Sequence, residues 1–235
     1  VLSGEELIIK FVLDPNLDQH RYTASKVFGV PEEEVTKEMR TNAKLAWFCL
    51  QYGGTEHALM RDFGFSLDYA VKIVKGIKAT YPKLFGFMDM IAQVAALNRK
   101  LVNRFGATRR FHIWTHDSER QAKNFPFQSE VAIYTHLAFI DLCEISRSFG
   151  IPHIYRPLFS IHDAIYALVK EEWWPLFAVI QQKVMEMERY GMSLLVDPKV
   201  GPTWYDLEDV KEEDVKEWKD KSLEELLQVV STIVK

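Results

Sequence analysis

The sequence is poor in the features that mark secreted, disulfide-bonded or membrane proteins. Only two cysteines, Cys49 and Cys143, occur in 235 residues, and their isolation excludes a disulfide scaffold and the usual metal-ligand spacings. No apolar run approaches the ~20 residues of a membrane span, and no signal peptide is recognisable. We therefore predict a cytoplasmic protein in a reducing compartment.

The chain also lacks a large excess of charge of either sign. Its formal net charge is −4, with 26% charged and 48% hydrophobic residues. This composition is ordinary for a globular protein of one large or two small domains. It gives no global attraction toward nucleic acid, so any such binding must come from local patches.

The most informative stretch is a helix predicted over residues 40–52, with Thr36 as its N-cap and Gly53 at its end. At every fourth position stand Arg40, Lys44, Phe48 and Tyr52. On an α-helix these side chains form one slanting stripe roughly 18 Å long. Two cations followed by two aromatic rings would match a nucleoside triphosphate. The alternative is an amphipathic helix with both rings in the core.

The remaining pattern of helices and strands predicts the α+β class. Helices are expected at residues 2–12, 19–28, 67–80, 84–102, 131–149 and 173–190, with Ser66 as the N-cap of the helix at 67–80, Pro126 as a break and Gly191 as a stop. Ser222 and Glu225 predict a capping box for a last helix whose apolar stripe ends at Val234. The tail between Asp197 and Glu225 has 11 acidic and 5 basic residues, which suggests a solvated or partner-facing surface.

Three further groups of polar residues are candidate sites. His20 lies near the start of the helix at 19–28, where backbone N–H groups favour an anion. Basic and amide side chains recur at Arg120, Asn124 and Gln128, at and just beyond the end of a basic, aromatic-rich segment at residues 99–123. Such side chains suit phosphates and base edges, and equally suit a solvated loop and its caps.

A hairpin is predicted over residues 153–169, with His162 and Asp163 at its tip. A carboxylate on a rigid hairpin tip can hold a metal ion. The alternative is that aspartate is simply a good turn residue.

Taken together, these segments resemble the family A DNA polymerases, the family of bacterial DNA polymerase I. Residues 40–53 resemble the R-x3-K-x3-F-x3-YG helix called motif B, and SIHDAI resembles motif C. The segments DQHRYTASKVFGV, ERQAKNFPFQ and VGPTW resemble three further family segments in the same order. The resemblance implies a DNA-directed DNA polymerase with helical fingers and part of a palm.

For the incoming deoxynucleoside triphosphate (dNTP), the resemblance implies contacts from the residues that match the family motifs. They are His20, Arg40, Lys44, Phe48 and Tyr52. Lys44 would also favour departure of pyrophosphate, and a phenylalanine at position 48 goes with discrimination against dideoxynucleotides.

For the primer-template DNA, the resemblance implies that Arg120, Asn124 and Gln128 follow the minor groove. His162 would lie near the primer 3′ end. Asp163 would bind catalytic Mg²⁺ in a two-metal mechanism, with the ions about 3.5–4 Å apart. Lys44, His162 and Asp163 are thus the expected catalytic residues.

The family's motif A, which carries the other catalytic aspartate, is absent, and Ala164 and Thr41 depart from motifs C and B. The chain begins with Val1 and a segment resembling the one just after motif A. We expect a partner chain, as in a split phage-type polymerase, or an upstream segment to supply motif A, the thumb and any exonuclease domain. The alternative is an inactive DNA-binding or scaffolding relative.

The resemblance also implies domain boundaries. Residues 1–30 would begin the fingers, 31–105 form the fingers with motif B, 106–204 the palm part with motif C, and 205–235 an acidic extension. A split in the palm predicts an exposed apolar seam at Leu2, Leu7, Ile8, Ile9 and Phe11, and hence an obligate complex.

Overall fold

The computed structural model describes residues 2–14, 16–186, 188–189 and 192–233. The chain divides into two compact units, residues 1–129 and 130–235. The first unit contains α1 (Glu6–Leu13), α2 (Gln19–Phe28), α3 (Lys37–Gln51), α4 (Glu56–Phe63), α5 (Leu67–Thr80), α6 (Pro82–Asn98), the antiparallel pair β1 (Lys100–Val102) and β2 (Thr108–Arg110), and the first part of α7 (His116–Ser148). The unit boundary falls inside α7.

Side-chain caps at the helix starts fix the local structure of the first unit. Thr36 caps α3 by accepting from the Met39 N–H, and Ser66 caps α5 by accepting from the Tyr69 N–H. Both caps were predicted, and each satisfies a backbone donor that the helix leaves free.

The core of the first unit lies between α2, α3, α5 and α6. The Trp47 ring lies 4.5 Å from the Tyr81 ring, measured between centroids, and Tyr81 shares a 2.7 Å hydrogen bond with the Thr23 hydroxyl. Both rings are buried. One face of α3 is thereby fixed against the core, and the opposite face is left for other contacts.

The predicted apolar seam at the start of the chain is wrong in large part. Leu7, Ile8 and Phe11 pack against the core of the first unit, because α1 turns them toward it, and Ile9 is half-buried. Of the five seam residues only Leu2 is exposed.

The second unit is built from the rest of α7, the hairpin of β3 (Tyr155–Ile161) and β4 (Ala164–Val169), and α8 (Trp174–Met185). It continues with the strand pairs β5 (Glu188–Arg189) with β6 (Met192–Ser193) and β7 (Lys199–Val200) with β8 (Glu208–Asp209), then α9 (Glu212–Val215) and α10 (Leu223–Ile233). In its core the Tyr155 and Phe177 rings stack at 4.5 Å. Burial raises the pKa of Tyr155, and its hydroxyl donates to Gln181 at 3.0 Å.

The last helix completes this core. Leu226 and Val230 are fully buried on the inward face of α10. The predicted capping box is confirmed, because the Ser222 N–H donates to Glu225 at 2.7 Å and the Glu225 N–H donates to the Ser222 hydroxyl at 3.2 Å. The acidic tail is therefore anchored by its apolar side; Val234, predicted to end the stripe, lies outside the described residues.

Several predicted boundaries are wrong. Helix α7 continues through Pro126, although an internal proline removes one helical hydrogen bond. Packing overrides this local cost, since Ala122 and Phe125 belong to one apolar cluster and Phe127 packs against the main core.

The other differences concern helix ends. Helix α6 ends at Asn98, before β1, and α8 ends at Met185. The predicted end of α8 at residues 190 and 191 lies outside the described residues. Helix α4 was not predicted, because eight residues between two glycine turns give little periodicity.

Candidate active site

The two faces of α3 differ sharply. Ala43, Ala46, Trp47 and Leu50 are buried on one face. On the other, Phe48 is 42% exposed, Tyr52, the residue just after the helix, is 53% exposed, and Lys44 is exposed. The alternative in which both rings lie in the core is therefore wrong. The four-residue stripe forms an open surface of two cations and two rings.

Asp18 links this stripe to the neighbouring helix. One carboxylate oxygen, Oδ1, accepts from the N–H groups of His20 and Arg21, both at 3.0 Å, and so caps α2. The other oxygen, Oδ2, accepts from Arg40 Nε at 2.6 Å. The N–H groups predicted to attract an anion beside His20 are thus occupied by a side chain of this unit.

His20 lies against the aromatic part of the stripe. Its ring is 5.8 Å from the Phe48 ring, between centroids. Burial, and then the positive charges of Arg40 and Lys44, lower the pKa of His20. Its Nδ1 atom is buried and has no hydrogen-bond partner among the described residues. His20 therefore favours the neutral form.

Helix α7 meets the C-terminal end of α3. Asn124 Nδ2 donates to the Tyr52 carbonyl at 3.3 Å and to the Arg120 carbonyl at 2.9 Å. Arg120 forms an exposed ion pair with Asp117. The structure therefore brings Arg120 and Asn124 to the end of the stripe. Gln128 is exposed one turn further along α7.

The predicted hairpin tip is present in the second unit. Ile161 pairs with Ala164, so His162 and Asp163 form a two-residue turn between β3 and β4. His162 has φ 54, a left-handed conformation that is uncommon outside glycine. Both side chains are exposed.

Comparison with known proteins gives the family. The family A DNA polymerase model matches residues 1–206. The chain belongs to the family A DNA polymerases. It is 31% identical over 199 residues to DNA polymerase I of Geobacillus stearothermophilus, covering 81% of this chain and 22% of that protein. It is 27% identical over 211 residues to the thermostable DNA polymerase I of Thermus aquaticus, covering 86% and 25%.

A solved structure shows the same fold. The POL domain of Pol1 from M. smegmatis, in complex with DNA primer-template and dNTP, superposes with a TM-score of 0.66 at 21% identity, covering 82% of this chain and 35% of that one. The α+β class is thereby confirmed. The chain spans about a quarter of the length of the curated polymerases it matches.

Family A polymerases are expected to use Mg²⁺, and the residues present do not form a site for it by themselves. Among the described residues, no group of three or more His, Cys, Asp and Glu side chains could hold a metal ion. Asp163 offers one carboxylate on an exposed turn, whereas Mg²⁺ is held in an octahedron by carboxylates together with substrate phosphates and water.

In the same described ranges, no helix has both the length and the apolar content that a bilayer crossing requires.

Sequence reasoning missed Asp18 as a residue of this candidate site. Its segment was matched to the family, but no role was given to the aspartate. The available signal was its position directly before a predicted helix, where aspartate is a preferred N-cap. Its second bond, to Arg40, joins positions 22 residues apart, and spacing alone does not indicate it.

Proposed function

We propose that this chain carries the nucleotide-binding and primer-terminus part of a DNA-directed DNA polymerase. The observation that carries the proposal is the open stripe of Arg40, Lys44, Phe48 and Tyr52, opposite a buried helix face. A dNTP has the matching features, a polyanionic chain and a flat base. Membership of the family, and relatives named DNA polymerase I, support the same conclusion.

The cationic half of the stripe binds the triphosphate. Arg40 contributes terminal N–H groups, because Asp18 occupies its Nε, and Lys44 contributes an exposed ammonium. His20 adds a ring that gains a proton more readily once phosphate charge offsets the two cations beside it. In the reaction, the primer 3′-hydroxyl attacks the α-phosphate and pyrophosphate leaves. Lys44 stabilises the charge on that leaving group.

The aromatic half binds the nucleoside. Phe48 presents an exposed ring against which a base or sugar can pack, with His20 beside it. Tyr52 extends this surface to the point where Asn124 binds its carbonyl. Phenylalanine at position 48 lacks the hydroxyl that a tyrosine would offer, and we propose that it disfavours dideoxynucleotides.

The DNA is bound by Arg120, Asn124 and Gln128 along α7. The minor groove offers similar acceptors for all base pairs, so this contact monitors geometry without selecting sequence.

In the second unit, His162 contacts the primer end and Asp163 supplies one carboxylate toward Mg²⁺. The second carboxylate and the thumb come from an upstream segment or a second chain of a phage or bacterial polymerase. We keep the domain boundaries at residues 30, 105 and 204 as part of this proposal.

Primer extension tests the proposal. The 235-residue chain is incubated with primer-template, dNTPs and Mg²⁺, alone and with the polypeptides that co-purify from its source. Asp163→Ala is compared with Glu172→Ala, which also removes a negative charge from an exposed residue, just after β4. We expect synthesis in the complemented reaction, its loss in Asp163→Ala, and its retention in Glu172→Ala.

The competing function is a DNA-binding relative without catalysis, in which Asp163 serves only as a turn residue at the exposed hairpin tip. The two differ in the same experiment. The chain would be a DNA-binding protein without catalysis if no synthesis occurred under any condition and Asp163→Ala left DNA affinity unchanged or slightly raised.

A further inference from the structure

The Asp18 carboxylate makes two separate connections with its two oxygens. Oδ1 is used by the amides of α2 and Oδ2 by Arg40 Nε. Burial disfavours its charge, yet the hydrogen bonds from Arg40 and the Arg21 amide hold the pKa of Asp18 below its ordinary value. Asp18 is therefore an anion at neutral pH, fixed at one end by α2 and bound at the other to the cationic stripe.

We propose that Asp18 is a positioning residue that holds the Arg40 guanidinium in the orientation needed to bind a triphosphate. The inference rests on the proposed function and deepens it. A guanidinium held at Nε keeps both terminal nitrogens available on its far side, and none of the described residues accepts from them. The held guanidinium thus presents a fork of donors that suits a bidentate phosphate contact.

The surroundings make Asp18 a rigid holder. The connection between α2 and α3 is fixed by Arg21, whose Nη1 donates to the Glu32 carbonyl at 2.9 Å. The helix that Asp18 caps is therefore tied to the segment that leads into the helix carrying Arg40. Without Asp18, Arg40 would have to lose its rotamer freedom when the ligand binds.

The negative charge of Asp18 also repels a polyanion, so Asp18 has two opposing effects on triphosphate binding. Two backbone amides and a guanidinium already share the charge, and the amides lie at the positive end of the α2 dipole. The remaining repulsion is therefore small compared with the cost of immobilising a free arginine. We infer that Asp18 raises triphosphate affinity.

Asp18→Asn separates the two connections. Asparagine is as good an N-cap as aspartate, so its oxygen can keep the amides of α2, whereas its NH₂ cannot accept from Arg40. Asp14→Asn is the matched control, because among the described residues the Asp14 carboxylate accepts only from Asn16 in its own turn. The probes are a dNTP and inorganic tripolyphosphate, each titrated onto the full chain by calorimetry.

For Asp18→Asn we expect about three- to tenfold weaker binding of both probes, the cost of ordering one long side chain, with little change in the urea midpoint. In a double-mutant cycle, Asp18→Asn should have no further effect in an Arg40→Gln background. If Asp18 had a purely structural role, Asp18→Asn would lower the urea midpoint, and its effect on binding would add to that of Arg40→Gln.

The outcomes separate the two claims. If the wild-type chain binds the probes and Asp18→Asn binds them equally well or more tightly, the inference is overturned and the proposed function stands. Failure of the wild-type chain to bind either probe overturns the proposed function, and the inference falls with it.

Discussion

The junction between α3 and α7 gives the sharpest test of the site's architecture. Gly53 ends the stripe with φ +77, and a Cβ built on it would lie 2.8 Å from Arg120 Cγ. Gly53→Ala therefore introduces two faults: a left-handed conformation for a residue with a side chain, and a contact too short for two carbons. The second fault presses on a residue that we propose binds DNA.

The two costs can be estimated separately. The left-handed conformation costs an alanine about 1–2 kcal/mol. Crowding of a packed position costs about 1–3 kcal/mol, and the lower half of this range applies because Arg120 can move its exposed side chain. We expect Gly53→Ala to lower the free energy of unfolding by about 2–4 kcal/mol in total.

Gly64→Ala is the control, since Gly64 has φ +70 and nothing lies within 4 Å of the Cβ position. It carries the backbone cost without the contact, and should be the milder variant by about 1–2 kcal/mol. In an Arg120→Ala background the Cγ is absent and the nearest atoms lie 3.4 Å from the new Cβ. There Gly53→Ala should cost no more than Gly64→Ala.

Urea unfolding of the four variants and the wild type, followed by tryptophan fluorescence and circular dichroism, measures these differences. Trp47 is buried in the same unit and reports on it. If Gly53→Ala proved no more costly than Gly64→Ala, or if Arg120→Ala gave no relief, the contact between the end of α3 and α7 would be refuted.

Three further predictions concern single side chains. Burial, followed by the charges of Arg40 and Lys44, lowers the pKa of His20, so the unfolded chain binds this proton more tightly than the folded chain. The protein should therefore be destabilised as pH falls from about 6.5, the ordinary histidine pKa, down through the lower pKa of the folded state. His20→Gln should flatten this part of the urea-midpoint profile. Phe48→Ala should weaken dNTP binding by about 1–3 kcal/mol, the worth of a base stacked on a ring, and leave tripolyphosphate binding unchanged in calorimetry; equal losses for both probes would contradict the role of Phe48. Leu226→Ala should destabilise the second unit by about 2–5 kcal/mol in urea unfolding, because α10 buries this side chain completely, and a neutral result would mean that the tail is not part of the core.

The sequence determined the elements whose signals are local. Thr36 and Ser66 cap their helices as predicted, and the Ser222–Glu225 box begins α10, because each acts on backbone groups within three residues. The hairpin with His162 and Asp163 at its tip also follows from two arms rich in β-branched and aromatic residues and a short turn. The family motifs indicated the family, because their order and spacing persist over most of the chain.

Tertiary structure decided what depends on distant partners. The Asp18–Arg40 bond and the Gly53–Arg120 contact join positions that no short pattern connects. Helix α7 continues through Pro126 because the residues beside it are packed, and a local rule cannot weigh that packing against the loss of one hydrogen bond. Spacing placed Phe48 and Tyr52 on one stripe and left open whether that stripe faced the core. Burial of Trp47 and its neighbours on the opposite face settled this, because a helix can turn only one face toward a core.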